Sequence, residues 1–331
     1  MNDVKGAADV LHEMAFDVVI RGGRVLDGTG SPWRIADIGI RGGKVARVGP
    51  LGRAKSARAI DASGSYVAPG FIDIHTHSDI GILVEPTAEC AVRQGVTTHV
   101  IGNCGDSPAP IGERYRELAV RRFEYYAQAK DWNWSTYGEY LDFIAHQRVG
   151  INIAGLVGHG SVRLATMGFE ERPPTPEETR TMKNHIDEAM RAGAFGMSTG
   201  LVYPPGCFAE TEEIVDLAKV VARHRGFYAS HVRGERETIV DAVRECIEIG
   251  ERAGCPVQIS QTIRSTAASG RRRKSKRCGR PPGRVAWTSS RTTTCTRTSG
   301  LPLVTRFRSG PRSSRRRNSS GCCGIPRNGT H

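Results

Sequence analysis

The chain contains no apolar run of the roughly 18 residues that a membrane-spanning helix requires, so no membrane span is expected. Its N-terminus lacks the succession of basic, apolar and small residues that marks a secretion signal. Nine cysteines are present, but they form no repeated short-spaced framework, which argues against a disulfide scaffold and fits a reducing compartment. A cytoplasmic protein is the expectation. The most informative shortage is of acid. No Asp or Glu follows Glu251, and residues 262–331 hold 18 of the 47 Lys and Arg. That leaves 29 basic against 34 acidic residues in 1–261, a net charge of −5 beneath the whole-chain value of +13. The body therefore reads as a mildly acidic domain, and only the tail is basic. Arginine clusters bind phosphate without sequence preference, but few aromatics interleave these, so base stacking is unsupported and no nucleic-acid partner is expected.

At 331 residues there is room for one large domain and a small appended one. Residues 1–15 have no pattern and read as a loose extension. Residues 16–68 read as a small β-domain. Within it, Phe16 to Gly28 gives two alternating strands joined at Gly22-Gly23, and Ile35 to Gly49 repeats the device. Val18, Ile20, Val25, Ile38, Ile40, Val45 and Val48 would share its buried face. Residues 69–261 read as part of a (β/α) barrel, with strands at 71–77, 95–102, 151–160, 193–201, 226–231 and 255–260. Helices are read from Pro173 to Ala192, Glu212 to Arg225 and Thr238 to Ala253, and residues 113–147 form aromatic-rich helices and an entry loop. Residues 262–331 are the disordered basic tail.

The stretch Phe71-Ile-Asp-Ile-His75-Thr-His77 organises the rest. Its alternation reads as a buried strand, and histidines two apart leave the same face. Placed at the C-terminal end of a first barrel strand, where (β/α)8 enzymes carry their chemistry, the pair is a metal grip. A His-x-His alone is weak evidence, since most such pairs are surface or satisfied core histidines. Two further residues stand at strand ends: Cys104 between glycines in Gly102-Asn-Cys-Gly105, and His231 closing Gly226-Phe-Tyr-Ala-Ser-His231. His159 also follows a strand, but reads better as a structural histidine bonded to a neighbouring loop.

Context strengthens these signals. Ala68-Pro-Gly-Phe-Ile-Asp-Ile-His-Thr-His77 resembles the opening metal-binding strand of the amidohydrolase superfamily. Asn103-Cys104-Gly105 with Ser107-Pro-Ala-Pro110, Ser198-Thr-Gly-Leu-x-Tyr203-x-Pro-Gly206 and His231-Val-Arg-Gly-Glu235 are similar to its N-acyl-D-amino-acid deacylase (D-aminoacylase) branch. The resemblance implies an incomplete TIM-like metallo-hydrolase barrel beside a composite β-domain, and zinc-dependent hydrolysis of the amide of N-acyl-D-amino acids. It implies zinc held by Cys104, His231 and a histidine from the strand ending at residue 261, with His75 and His77 as a second, weaker subsite and Tyr203 against the substrate. Thiolate and imidazole donors together suit zinc. The implied general-base aspartate, a lysine and a carboxylate-binding arginine would lie beyond residue 261. A cyclic amidohydrolase of the dihydropyrimidinase or dihydroorotase kind would share His75-x-His77, but should bridge its metals with a lysine. A non-catalytic fragment with a basic tail is the third alternative.

Gln261 stands where that last histidine is expected, and the resemblance is read to end there. About eighty residues without an acid, where roughly an eighth of residues are normally acidic, is a chance on the order of one in ten thousand. Loss of the coding frame at or beside codon 261 explains both departures. Thr293-Thr-Cys-Thr-Arg-Thr298, read from the third base of each codon, permits Asp-Val-Tyr-Pro-Tyr, which is similar to a later strand motif of the branch.

Overall fold

The computed structural model describes residues 15–123 and 132–260, together with the backbone of Thr305–Arg308. Two compact units are present, one running to Ala68 and the other starting at Pro69.

In the first unit, β1 (Phe16–Val25), β2 (Arg34–Arg41), β3 (Lys44–Gly49), β4 (Ser56–Asp61) and β5 (Ser65–Ala68) form one sheet. Its spine is β1, which pairs antiparallel with β2 and parallel with both β4 and β5. The hairpin expected at Gly22-Gly23 is therefore a bulge inside one strand. Register with β2 shifts between Ile20 and Gly23, Gly22 lies at φ +64°, and its N–H donates to Asp37. Ladder partners on both sides keep β1 running straight where the glycines alone suggest a turn. The second expected hairpin does form, from β2 to β3 through Gly42-Gly43. Ile20, Val25, Ile38 and Ile40 are buried as expected, whereas Val45 is 48 % exposed because β3 is an edge strand.

Beyond β5 the sheet gains a short strand, β12 (Thr305–Arg308). The tail read as disordered thus contains one ordered piece. Unpaired backbone groups along a strand edge recruit any extended segment, whatever its side-chain pattern. Gln261 and the rest of 262–331 lie outside the described residues, as do the extension through residue 14 and part of the aromatic stretch, 124–131.

In the second unit, β6 (Phe71–Asp73), β7 (Val96–Ile101), β8 (Asn152–Gly158), β9 (Gly196–Gly200), β10 (Phe227–His231) and β11 (Val257–Ser260) lie parallel and in sequence order. Each connection is a crossover, and the long ones are amphipathic helices. The helix Pro176–Ala192 starts at a capping box, in which Thr175 Oγ1 accepts from Glu178 N and the Glu178 carboxylate accepts from Thr175 N; it ends at Gly193 in the left-handed region. Its stripe of Met182, Ile186, Ala189 and Met190 enters one core with Ile214, Leu217, Val220 and Val221 of the helix Thr211–Arg223. This is the expected α/β architecture, six consecutive strands of a (β/α)8 pattern, with β6 and β11 at its edges.

Strand β6 stops at Asp73, short of the expected His77. The His75 N–H donates back to the Asp73 carboxylate at 3.2 Å and bends the chain, after which Thr76 N rejoins the ladder at Val100 O. The two histidines therefore project from a bend above the strand tip.

Candidate metal centre

The tip of β7 is built around an unusual backbone. Gly102, Cys104 and Gly105 all have positive φ, +73°, +55° and +76°. For Gly102 the reason is contact, since a Cβ there would lie 1.9 Å from the Leu156 carbonyl oxygen on β8. For a cysteine the left-handed region costs on the order of 1–2 kcal/mol, so neighbouring bonds must hold it. Asp79 accepts from Gly102 N at 2.6 Å, and the Asn103 side-chain amide donates to Val100 O at 2.9 Å and Thr76 O at 3.3 Å. Burial pushes the Asp79 carboxyl up to about 7, against the pull of the N–H bonds it accepts.

This tip turns the Cys104 thiol toward the histidines. Sγ lies 3.3 Å from His75 Nε2 and 3.6 Å from His231 Nδ1. The His75 and His77 rings meet edge to face with centroids 5.4 Å apart. One donor atom from each of His75, His77 and Cys104 lies within 4.8 Å of the others, the one such grouping among the described residues. Cys104 thus stands between two sets, the His75/His77 pair and His231. Gln261, the last residue of the expected set, is outside the described residues.

Electrostatics prepare these groups for a cation. Burial first, then the neighbouring His77 and His231, holds the His75 imidazole below its ordinary value, so it stays neutral with a lone pair to offer. Its buried Nδ1 has no hydrogen-bond partner. Burial, with the carboxylates of Asp106 and Asp79 behind it, pushes the Cys104 thiol up to about 12, so its proton leaves only when a metal displaces it. At His231, Nε2 donates to Glu235 at 3.2 Å, which fixes the tautomer and leaves Nδ1 open on the Cys104 side. The Tyr203 ring packs edge-on against His231, with centroids 5.1 Å apart, and stays partly open to solvent. One sulfur and three imidazoles, with His75 Nδ1 unpartnered in the interior, make a donor set that fits a thiophilic divalent metal.

His159 takes no part in this set. It is fully buried, and Nε2 meets Glu213 at 2.8 Å, while Arg163 Nη1 holds the other Glu213 oxygen at 2.5 Å. Its partner belongs to the helix Thr211–Arg223 rather than to the loop expected from sequence, and its buried Nδ1 has no hydrogen-bond partner.

Residues 58–291 match a family profile described as the amidohydrolase family. The chain belongs to the amidohydrolase family. The matched range runs past Gln261, where the sequence reading ends the resemblance. Among relatives in the family, the chain is 39 % identical over 245 residues to a D-aminoacylase and 41 % identical over 248 to an N-acyl-D-glutamate deacylase, both from Alcaligenes xylosoxydans xylosoxydans. Each alignment takes in 74 % of this chain, but only 50 % and 49 % of the relatives, so the chain spans about half the length of the curated relatives it matches. A solved amidohydrolase, the N-acyl-D-glutamate deacylase of Bordetella bronchiseptica with zinc and a phosphonate mimic of the tetrahedral intermediate, superposes with TM-score 0.69 at 38 % identity, over 76 % of this chain and 52 % of that one. A D-aminoacylase structure gives 0.68, also at 38 % identity, over 75 % and 52 %.

The strand-end motifs of the sequence point to the cysteine and the histidines that the structure brings together. They miss Asp79 and Glu235, whose roles run through a backbone N–H and a ring nitrogen. A carboxylate four residues after His231 is the signal that points to Glu235.

Proposed function

We propose that this site is the metal centre of an N-acyl-D-amino-acid deacylase, in which zinc-dependent hydrolysis releases a carboxylate and a D-amino acid. The observation that carries the reading is the Cys104 thiol lying 3.3 Å from His75 and 3.6 Å from His231 at the C-terminal end of a parallel sheet. Zinc would be held by Cys104 and His231, with His75 and His77 as a second, weaker subsite, and it would supply Lewis-acid polarisation of the scissile carbonyl and activation of water. Glu235 keeps His231 in the ligating tautomer. Tyr203, with its ring braced on His231 and its edge open, contacts the acyl-amino acid. Burial first, followed by its neighbours Cys104, Glu235 and Asp106, raises the Tyr203 phenol, so it meets substrate as a neutral hydrogen-bonding group. The general-base aspartate that the family resemblance implies has no counterpart in residues 262–331 as written, which hold no Asp or Glu. The substrate is a small molecule met in the cytoplasm; among the described residues no helix is long and apolar enough to cross a membrane.

The test restores the reading frame after codon 261 and assays N-acetyl-D-methionine against its L enantiomer with zinc. D-selective release of acetate, lost in Cys104→Ala, is the expected result. Hydrolysis of a cyclic amide such as dihydrouracil in place of the acyl-D-amino acid would overturn it in favour of the cyclic amidohydrolases.

A further inference from the structure

The thiol of Cys104 is only as well aimed as the four-residue tip that carries it, and one side chain from another strand spans that tip. Ser198, on β9 and fully buried, accepts from Gly105 N at 2.9 Å and donates to Gly102 O. Its single hydroxyl uses both an acceptor and its donor on the two ends of the loop, immediately before and after the Asn103-Cys104 step. The packing around it leaves no other route. A Cβ at Gly200, two residues along β9, would lie 2.0 Å from Cys104 O, and a Cβ at Gly105 would lie 2.7 Å from Gly200 N. Backbone therefore presses on backbone at this junction, and Ser198 is the group that converts contact into fixed register.

We infer that Ser198 is a positioning residue for the metal thiolate: it clamps Gly102 to Gly105, keeps Cys104 in the left-handed conformation, and so sets the direction of Sγ toward His75 and His231. The inference rests on the metal reading above. A hydroxyl that bridges O and N across a cysteine acts on the ligand as an outer-shell partner does. Such partners are worth 10–100-fold in metal affinity.

A built-in comparison separates this role from plain stability. Ser161 makes the same kind of bridge one turn away, accepting from Ser107 N at 2.9 Å and donating to Ser107 O at 2.7 Å, without spanning Cys104. Both serines are buried and each would forfeit two hydrogen bonds on conversion to alanine.

The experiment titrates metal-free full-length chain, and its Ser198→Ala, Ser161→Ala and Cys104→Ala variants, with cobalt(II) and follows the near-ultraviolet thiolate-to-cobalt band. In parallel, the alkylation rate of Cys104 by N-ethylmaleimide is measured by peptide mapping without metal. Ser198→Ala is expected to weaken cobalt binding about 10–100-fold, lower the band per bound cobalt, and speed Cys104 alkylation. Ser161→Ala should leave all three unchanged at a comparable fall in melting temperature. Parental affinity, band and alkylation in Ser198→Ala would overturn the clamp, and so would equal losses in Ser161→Ala. Ser198→Thr keeps the hydroxyl and is the second variant: a parental band supports the clamp, and its loss at unchanged melting temperature refutes it. If the unaltered chain shows no band that depends on Cys104, the metal reading itself fails, and the alkylation comparison still decides the clamp.

Discussion

At the scale of single residues, the centre depends on atoms that have no room to move. Gly102→Ala would place a Cβ 1.9 Å from Leu156 O at a φ of +73°, and a backbone carbonyl in a parallel ladder cannot yield as a flexible side chain would. The expected cost is about 3 kcal/mol or more, read from urea unfolding, with cobalt affinity falling in whatever fraction still folds. Gln261→His alone should restore no hydrolysis of N-acetyl-D-methionine, because a single added imidazole supplies neither the general base nor the substrate-binding groups that the family resemblance puts further on. Measurable turnover in that variant would refute this. Cys104, His75, His77 and His231 were readable from sequence because each sits in a motif with its own chemistry. Asp79, Ser198 and Glu235 were not. Asp79 and Ser198 act on backbone groups brought close by the fold, Gly102 N and Gly105 N, which no spacing in the sequence announces, while Glu235 acts on the His231 ring four residues before it.

Elements were readable in proportion to their period. The helices Pro176–Ala192, Thr211–Arg223 and Ile239–Ala253 show one apolar stripe each and lie within a few residues of their expected bounds. Strand β1 was read as two because Gly22-Gly23 looks like a turn, and only its partners on both sides make it one. Beneath the Pro176–Ala192 cap, the hydrogen bonds from Arg172 hold the Glu178 carboxyl down to about 2 from its ordinary 4.5. A depressed carboxyl contributes stability that is complete above its unfolded pKa and is lost as pH falls through the folded value. The acid limb of the melting profile between about 4.5 and about 2 should therefore flatten in Glu178→Gln, while the profile above pH 6 keeps its shape. In the interior, burial alone would push the Glu213 carboxyl up, but the bonds from His159 and Arg163 outweigh it and hold it below the ordinary range. Glu213→Ala leaves the fully buried Arg163 guanidinium without its carboxylate. A loss of about 3–5 kcal/mol in chemical unfolding is expected, far beyond what the i,i+4 pair Arg93–Glu89 on the surface would show.

For the molecule as a whole, the question is what closes the sheet. Six parallel strands run from β6 to β11, and Phe71 at the start of β6 and Ile74 just after its end are 46 % and 48 % exposed. Among the described residues no further strand pairs with β6 or β11 on its outer side, and parallel sheets are stable when both faces and both edges are covered, so the chain is expected to associate through those edges and to turn over substrate negligibly even with zinc. Light scattering against concentration and an acetate-release assay test both points, and zinc-dependent deacylation by the 331-residue chain would contradict the second. Frame loss at codon 261 would explain a glutamine at the expected ligand position and a tail with 18 basic residues and no acid. The family match running to residue 291 weighs against a break at that codon, so the nucleotide sequence decides between them. Read one base over, codons after 261 should regain acids at roughly an eighth of positions and spell Asp-Val-Tyr-Pro-Tyr across 293–298. The last of these is a stringent requirement, because the third bases of threonine codons are free and nothing in the present frame selects them. A gene that carries the arginine-rich tail in an intact frame in independent isolates would refute frame loss, and would leave β12 beside β5 as the tail's own contribution to the fold.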